Sequence, residues 1–360
     1  MVGGVPLISV IGTPRTIGET IGSRLRSRLQ VLSQYLMEQL ASSARAGGVR
    51  LTPADLRKHL RQNILPAAQH EPALWMEMES MARAAELAEE DLLLIHGYGD
   101  LLSYFSCPVP PMASSFACLA PHHSCDSRPW LVHAWHLDPA LFPYITLVRR
   151  IPSHGPASLC LTLAGLHPVA GVSEAGLAAC SNELRVTDGA TGHFTSHLLA
   201  SALTAPAFDD ALRRLQSGPR QGGAALHLIS HLQRATVELC GQQAVRLPDP
   251  QPRSPRVHTN HPLNDEVLRW AAPVGDPTSH VRLNHLARQA VDAIALPPLQ
   301  IAAWFGLGRD GSSGSGIGAQ QPQVEGMPPE TTVLTLLDPV GKGLHIRRGG
   351  SPAALELITL

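Results

Sequence analysis

The sequence predicts a layered α+β fold. Three observations carry this. Up to about residue 105 the apolar residues recur with helical spacing. From Cys118 onward they fall into short apolar or alternating runs separated by Gly, Pro and Asp turns. The chain has 360 residues, of which 44% are apolar and 16% charged, enough for a sizeable core and against global disorder. Short strands with helices grouped between them suit stacked layers.

Taken in order, residues 5–11 read as a first strand and Gly12-Thr13-Pro14 as a turn. A long helix follows from Thr16, with Ile17, Ile21, Leu25, Leu29 and Leu32 on one stripe. Thr52-Pro53 is an N-cap with Pro at the first helical position, and Asp55 stands in the first turn, so a helix runs to about Ile64. Residues 70–88 and 90–105 make two more helices. Glu89, Glu90 and Asp91 suit the start of the second, where negative charge complements the helix dipole. Pro108, Pro110 and Pro111 then stop helix formation.

Beyond Cys118, strands are expected at Trp130–Trp135, Tyr144–Ile151, Ser158–Leu163 and Leu177–Asn182. Helices are expected over 192–204 and 207–216, and a hairpin over Ala224–Ser230 and Arg234–Cys240. Residues 246–256 read as a Pro-rich loop. Thr278–Ile294 and 296–306 read as helices, Gly311–Pro329 as a Gly/Ser/Pro/Gln-rich loop, and Thr332–Leu337 with Gly343–Arg348 as a final hairpin.

A formal net charge of -1 gives no electrostatic case for nucleic acid or an anionic membrane. Six cysteines without a repeated spacing suit neither a disulfide scaffold nor a CxxC zinc site. Free thiols in a reducing compartment are expected, hence a cytoplasmic location. The start, Met1-Val2-Gly3-Gly4, has no basic region of a signal peptide, and no apolar stretch approaches membrane-spanning length.

Ala113-Ser114-Ser115-Phe116-Ala117-Cys118 stands at the change from helix to strand. Small residues crowd the bond before Cys118, and a thiol at such a junction is a candidate nucleophile. A half-buried free cysteine is the alternative. Downstream come His136-Leu137-Asp138-Pro139, then Gly171-Val172-Ser173-Glu174-Ala175-Gly176-Leu177 leading to Ser181-Asn182, then His258-Thr259-Asn260-His261, and Ser279-His280-Val281-Arg282. Each has a plainer reading: Asp138 as a turn residue, Asn182 as a strand-end cap, Ser279 as a helix N-cap, and the His258–His261 run as loop support. His193/His197 and His227/His231 are spaced four apart and invite a metal, but neither sits beside a carboxylate cluster, so no metal is expected.

Together these motifs resemble the isopenicillin N acyltransferase (acyl-CoA:6-aminopenicillanic acid acyltransferase) family of N-terminal nucleophile (Ntn) hydrolases. The opening Gly12-Thr13-Pro14…Ile17-Gly18…Gly22 looks like the family's strand–turn–helix, and Glu86…Asp91-Leu92-Leu93-Leu94 like its helices before the cleavage point. Ala117-Cys118 stands where the family has a cleavable bond before a Cys, usually after Gly. His136-Leu137-Asp138 sits where relatives have Asn-x-Asp. Glu174-Ala175-Gly176-Leu177 matches Asn-Glu-Ala-Gly-Leu, His258-Thr259-Asn260-His261 matches His-Thr-Asn-His, and Ser279…Arg282 matches Ser-x-x-Arg.

The resemblance implies a four-layer αββα sandwich of the Ntn-hydrolase type, with residues 1–117 as a helical segment that cleavage would separate but leave associated, and 118–360 as the catalytic segment. It implies cleavage of Ala117–Cys118, a linear amide or acyl small-molecule substrate, an acyl-enzyme on Cys118, and no cofactor. Asp138 would orient the new α-amine, Arg282 would hold Asp138 or a substrate carboxylate, and Asn182 would meet the oxyanion. His136, Glu174, His227, Asn260 and Ser279 would bind substrate or support the site. Relatives carry an oxyanion Asn on a later strand; Ala224-Ala225-Leu226-His227 has none, and His227 is the donor in its place. The alternatives are acyl transfer from acyl-CoA to an amine, or a non-cleaving relative that binds an amide without turnover.

Overall fold

The computed structural model describes residues 1–107, 114–166, 168–249, 255–273, 278–291, 293–305, 332–349 and 355–360. Strand β1 (Leu7–Gly12) leads into helix α1 (Pro14–Ala46). Thr13 caps the helix, its Oγ1 accepting the Thr16 N–H at 3.2 Å, and Pro14 fills the first position. The expected stripe from Ile17 to Leu32 is buried. Helix α2 (Pro53–His70) opens on a reciprocal cap: Asp55 N–H donates to Thr52 Oγ1, and Thr52 N–H to Asp55 Oδ2, both at 3.2 Å. It runs one and a half turns beyond the expected end. Helix α3 (Pro72–Ala85) follows.

The helix expected over 90–105 is two, α4 (Glu89–His96) and α5 (Tyr98–Tyr104), broken at Gly97. A Cβ on Gly97 would lie 2.3 Å from the Phe194 ring, so the break is a close approach. Glu90 and Asp91 open α4 and also pair with α2, Glu90 with Arg61 and Asp91 with Arg57 at 3.0 Å. Gly18 and Gly22 let α1 lie directly on α3: a Cβ would meet Glu77 O at 2.0 Å or Met81 O at 2.4 Å.

The strands that follow are β2 (Ser114–Leu119), β3 (Trp130–His136), β4 (Ile145–Pro152), β5 (Ser158–Leu163), β6 (Pro168–Ser173) and β7 (Leu177–Leu184). Helices α6 (Thr195–Leu203) and α7 (Phe208–Leu215) precede β8 (Gly223–Ile229), β9 (Arg234–Leu239), β10 (Ala244–Arg246) and β11 (Arg256–His258). Helices α8 (Asp265–Leu268), α9 (Ser279–Val291) and α10 (Pro298–Ala302) lead to β12 (Thr332–Asp338), β13 (Gly343–Arg348) and β14 (Glu356–Thr359). The sequence reading lacks β6, whose Pro168 and Gly171 read as turn residues, and the short edge strands β10, β11 and β14. The Gly311–Pro329 loop falls outside the described residues.

Two sheets result. The larger has the order β1-β4-β5-β6-β7-β8-β9-β10, the smaller β11-β2-β3-β12-β13-β14. Side chains alternate across each strand, so each sheet packs on both faces. Phe116, Leu131, Leu161, Val172, Cys180 and Leu337 fill the space between the sheets. Leu198, Leu203 and Phe208 of α6 and α7 cover the outer face of the larger sheet at Ala179, Leu226 and Leu228. Leu286, Ala290 and Ile301 of α9 and α10 cover the smaller sheet at Ala117, Val132 and Leu334. The architecture is a four-layer αββα sandwich, as expected. Strand β1 pairs in parallel with β4, so the N-terminal segment contributes a strand to the larger sheet. Among the described residues, no helix is long and apolar enough to cross a membrane.

Candidate active site

Strand β2 presents Phe116 and Cys118 to the space between the sheets and Ala117 and Leu119 to α9 and α10. Ser114 shares the face of Phe116 and Cys118 by the two-residue period. The Ala117–Cys118 bond, expected to be the cleavage point, has a defined place in the sheet. It lies inside the strand, paired on both sides: Ala117 with Val132 and Val257, Cys118 with Leu131 and Arg256. Cys118 and Ser114 are equally buried, each 3% exposed, and burial pushes the Cys118 thiol up to about 12, against the pull of Arg234 and Arg256. A nucleophilic thiol needs the opposite environment.

Asn182, Asn260 and Arg282 converge two pleat repeats earlier, at Ser114. Its Oγ accepts Asn182 Nδ2–H at 3.0 Å and Asn260 Nδ2–H at 3.1 Å. Its backbone N–H donates to Asn260 Oδ1 at 2.7 Å, and its carbonyl accepts Arg282 Nη1–H at 2.7 Å. Arg282 Nη2 also donates to Asn260 Oδ1 at 3.0 Å, and Asn260 Nδ2 to the Glu183 carbonyl at 3.0 Å. Thus Asn182, Asn260 and Arg282 hold every polar group of Ser114. Arg282 engages Ser114 and Asn260 as a fork, where the sequence reading had it on Asp138 or a substrate carboxylate.

Behind this ring stands a second. Ser279 Oγ accepts the Asn260 N–H at 2.8 Å and donates to Thr259 Oγ1 at 2.9 Å, while Thr259 Oγ1 donates to the Ser279 carbonyl at 3.0 Å. His261 Nδ1 lies 2.7 Å from Ser279 Oγ. The His258–His261 run is therefore joined to the start of α9, which carries Arg282. Fully buried His258 and Glu238 pair at 2.9 Å, and Glu238 also accepts the N–H groups of Leu263 and Asn264. On the opposite side, His227 Nε2 meets Asn182 Oδ1 at 2.8 Å.

Ser114 lines a cavity of about 90 Å³, together with Trp135, Ser181, Glu183, His96 and Asp100. Trp135 stands directly across the strand pair from Ser114. Asp100 caps α6, taking the Thr195 N–H at 3.0 Å and its hydroxyl at 2.7 Å; burial raises it to about 6 in spite of those bonds. Cys118 does not line this cavity.

Three predicted residues stand apart. Asp138 is exposed past the end of β3, and its Oδ1 accepts the Ala140 N–H at 2.8 Å, a turn role. Glu174 is exposed in the β6–β7 turn; its Oε2 accepts the Ala157 N–H, and Gly176 beside it has φ +75°. That motif builds a hairpin at the far end of β7 from Asn182. His136 is buried at the last position of β3, paired with Thr332. His231 lies in the turn after β8, so it does not share a strand with His227. Among the described residues, no three His, Cys, Asp or Glu side chains form a metal-holding group.

The sequence reading passed over Ser114. Two signals mark it: it follows the proline-rich segment as the first residue of β2, and it lies on the face of Cys118.

The model of the acyl-coenzyme A:6-aminopenicillanic acid acyl-transferase family matches residues 123–295, a span that holds Asn182, Asn260, Ser279 and Arg282 and begins after β2. None of the curated proteins matches the chain. Among solved structures, a mutant conjugated bile acid hydrolase from Clostridium perfringens aligns with TM-score 0.49 at 9% identity, over 69% of this chain and 92% of that one. The Caenorhabditis elegans ortholog of N-acylethanolamine-hydrolyzing acid amidase aligns with TM-score 0.41 at 11% identity, over 69% and 99%. Penicillin V acylase from Agrobacterium tumefaciens aligns with TM-score 0.41 at 19% identity, over 66% and 84%.

Proposed function

We propose that this protein is an Ntn-type amide hydrolase or acyltransferase whose nucleophile is the hydroxyl of Ser114, made N-terminal by cleavage of the Ala113–Ser114 bond. The observation that carries the proposal is the convergence of Asn182, Asn260 and Arg282 on Ser114. The family match over residues 123–295 supports the reaction class.

Cleavage would begin with attack of Ser114 Oγ on the carbonyl carbon of Ala113. The Oγ proton passes to the Ser114 nitrogen, the C–N bond breaks to leave an amine, and an ester joins Ala113 to Oγ. Water hydrolyses the ester, leaving a carboxylate on Ala113 and a free α-amine on Ser114. A free α-amine titrates near pH 8, so part of it is neutral at pH 7 and can take the Oγ proton. The Ser114 nitrogen, already 2.7 Å from Asn260 Oδ1, would stay aimed by that oxygen.

In turnover, Oγ attacks a substrate amide carbonyl, and the α-amine passes the proton to the leaving amine. An acyl ester remains on Ser114. Water resolves it to an acid; an amine resolves it by acyl transfer. The Asn182 and Asn260 N–H groups donate to the attacking oxygen and aim it at the carbonyl carbon, a positioning role. The substrate is a small amide or acyl compound entering the cavity beside Trp135, and no cofactor takes part. After cleavage the N-terminal fragment would remain attached through β1 on β4 and the α1 packing.

Intact mass and N-terminal sequencing of the purified protein test this. The expected fragment begins at Ser114; Ser114→Ala stays whole, and Cys118→Ala cleaves as wild type. A fragment beginning at Cys118, or full turnover by Ser114→Ala, would overturn it.

A further inference from the structure

Asn182 touches Ser114 with one end of its amide and His227 with the other. His227 sits on β8 opposite Thr236 of β9. Its ring lies flat on Phe116, with centroids 3.4 Å apart and planes 15° from parallel. Its Nδ1 lies 3.1 Å from Thr236 Oγ1, and its Nε2 lies 2.8 Å from Asn182 Oδ1. Ring and partners are fixed, so the remaining freedom is which nitrogen carries hydrogen. Burial, with His258, His133 and Arg256 nearby, drives this imidazole well below its ordinary pKa. It is neutral near pH 7 and has one N–H.

The two tautomers have opposite consequences. With hydrogen on Nε2, His227 donates to Asn182 Oδ1, and Nδ1 accepts the Thr236 hydroxyl. The Asn182 amide then directs its N–H at Ser114 Oγ, 3.0 Å away. With hydrogen on Nδ1, Nε2 becomes an acceptor and the amide must reverse. Its carbonyl oxygen would then face Oγ, which would lose the donor that orients it. Asn260 has no such choice, because Arg282 and the Ser114 N–H both donate to its Oδ1.

We propose that His227 is a positioning residue: its Nε2–H locks the Asn182 amide with the N–H on Ser114 Oγ. The order Thr236–His227–Asn182–Ser114 is then a one-directional chain of hydrogen bonds. Its catalytic consequence rests on Ser114 being the nucleophile; its direction does not.

Two measurements on the full chain test it. Nitrogen-15 histidine spectra, with the His227 signals identified by their loss in His227→Gln, should show hydrogen on Nε2 and a bare Nδ1. Hydrogen on Nδ1 overturns the proposal whatever the nucleophile. The second is the rate at which a fluorophosphonate labels Ser114. His227→Leu should slow it about 100-fold, the cost of a misplaced nucleophile. His227→Gln, which keeps an N–H donor, should recover at least about tenfold of that. In an Asn182→Ala background, His227→Leu should change the rate by less than about twofold, because it acts through Asn182. Full additivity would overturn the proposal. Should His227→Leu not fold, Thr236→Val carries the kinetic arm: it removes the hydroxyl that holds Nδ1 and should slow labelling, and an unchanged rate would overturn the proposal. An unlabelled wild-type Ser114 would refute the nucleophile reading alone, and the tautomer would still decide the direction of the chain.

Discussion

Asn260 grips Ser114 at two points: its Oδ1 takes the backbone N–H at 2.7 Å, and its Nδ2 donates to the side-chain Oγ at 3.1 Å. One planar amide therefore sets the distance between the proposed base and the proposed nucleophile. Ser279 and Thr259 hold the backbone that carries it.

Replacing Asn260 separates these functions. Asn260→Asp keeps the acceptor for the Ser114 N–H but sets a carboxylate oxygen against Oγ and the Glu183 carbonyl. Cleavage and turnover should fall about 100- to 1000-fold, the usual loss for one preorganised donor. Asn260→Ala should also destabilise the fold by about 1–3 kcal/mol, since Arg282 and Ser114 lose a buried acceptor. Half-times of chain cleavage and urea unfolding curves give the two numbers. Cleavage of Asn260→Asp at the wild-type rate would show that the grip is structural only.

The six thiols provide a separate check on where the nucleophile lies. Cys125 is exposed; the other five are buried. In native protein a disulfide reagent at pH 8 should modify Cys125 quickly and the rest only on unfolding. Cys118 should be among the slowest, with its thiol pushed up to about 12 by burial. Rapid modification of Cys118 with parallel loss of turnover would return the catalytic role to the thiol.

This is where the sequence and the structure part. The helix stripe from Ile17, the Thr52 and Asp55 cap and the change from helix to strand are local patterns, and the sequence carries them openly. So were the ingredients of the site: Asn182, Asn260, Ser279 and Arg282 were all legible as residues of interest. What they gather around was not, because Ser114 and Cys118 are both nucleophile types four residues apart on one strand face. Only pairing decides between them: Ser114 begins β2, while Cys118 is flanked by partners on both sides. Asp138 and Glu174 misled for a related reason. Acidic residues beside turns look alike whether they face a site or simply end a strand.

The α1–α3 contact predicts a stability effect far from the site. Gly18 and Gly22 face α3 where a Cβ would fall 2.0 Å from Glu77 O or 2.4 Å from Met81 O. Backbone atoms cannot rotate away, so Gly18→Ala should force the helices apart despite the better helix propensity of Ala. A loss of about 1–3 kcal/mol is expected from overpacking. Thermal melts of Gly18→Ala against an exposed control on the same helix, Ser23→Ala, would measure it; an unchanged Gly18→Ala melt would refute the close packing.

Acid should unfold the protein through its buried histidines. Burial lowers His133 to about 4, His193 to about 4, His197 to about 3 and His261 to about 4. His70, His193 and His197 also lie close, with the His70 and His193 rings 4.3 Å apart, so each charge opposes the next. An unfolded histidine titrates near 6.5. Below that pH the unfolded chain binds protons that the folded chain refuses, so stability falls as pH drops from about 6.5 toward 4. Each such histidine contributes at most about 1.4 kcal/mol per pH unit. Asp100 works the other way: raised to about 6, it holds a proton in the fold that the unfolded chain releases above its ordinary value of 3.8, favouring the fold as pH falls. Four histidines against one aspartate leave a net loss. Melting temperature should therefore change little from pH 7.5 to about 6.5 and decline from there to pH 5, and His197→Gln should flatten the decline. A melting temperature that holds level across that range would mean the imidazoles are protonated in the folded protein.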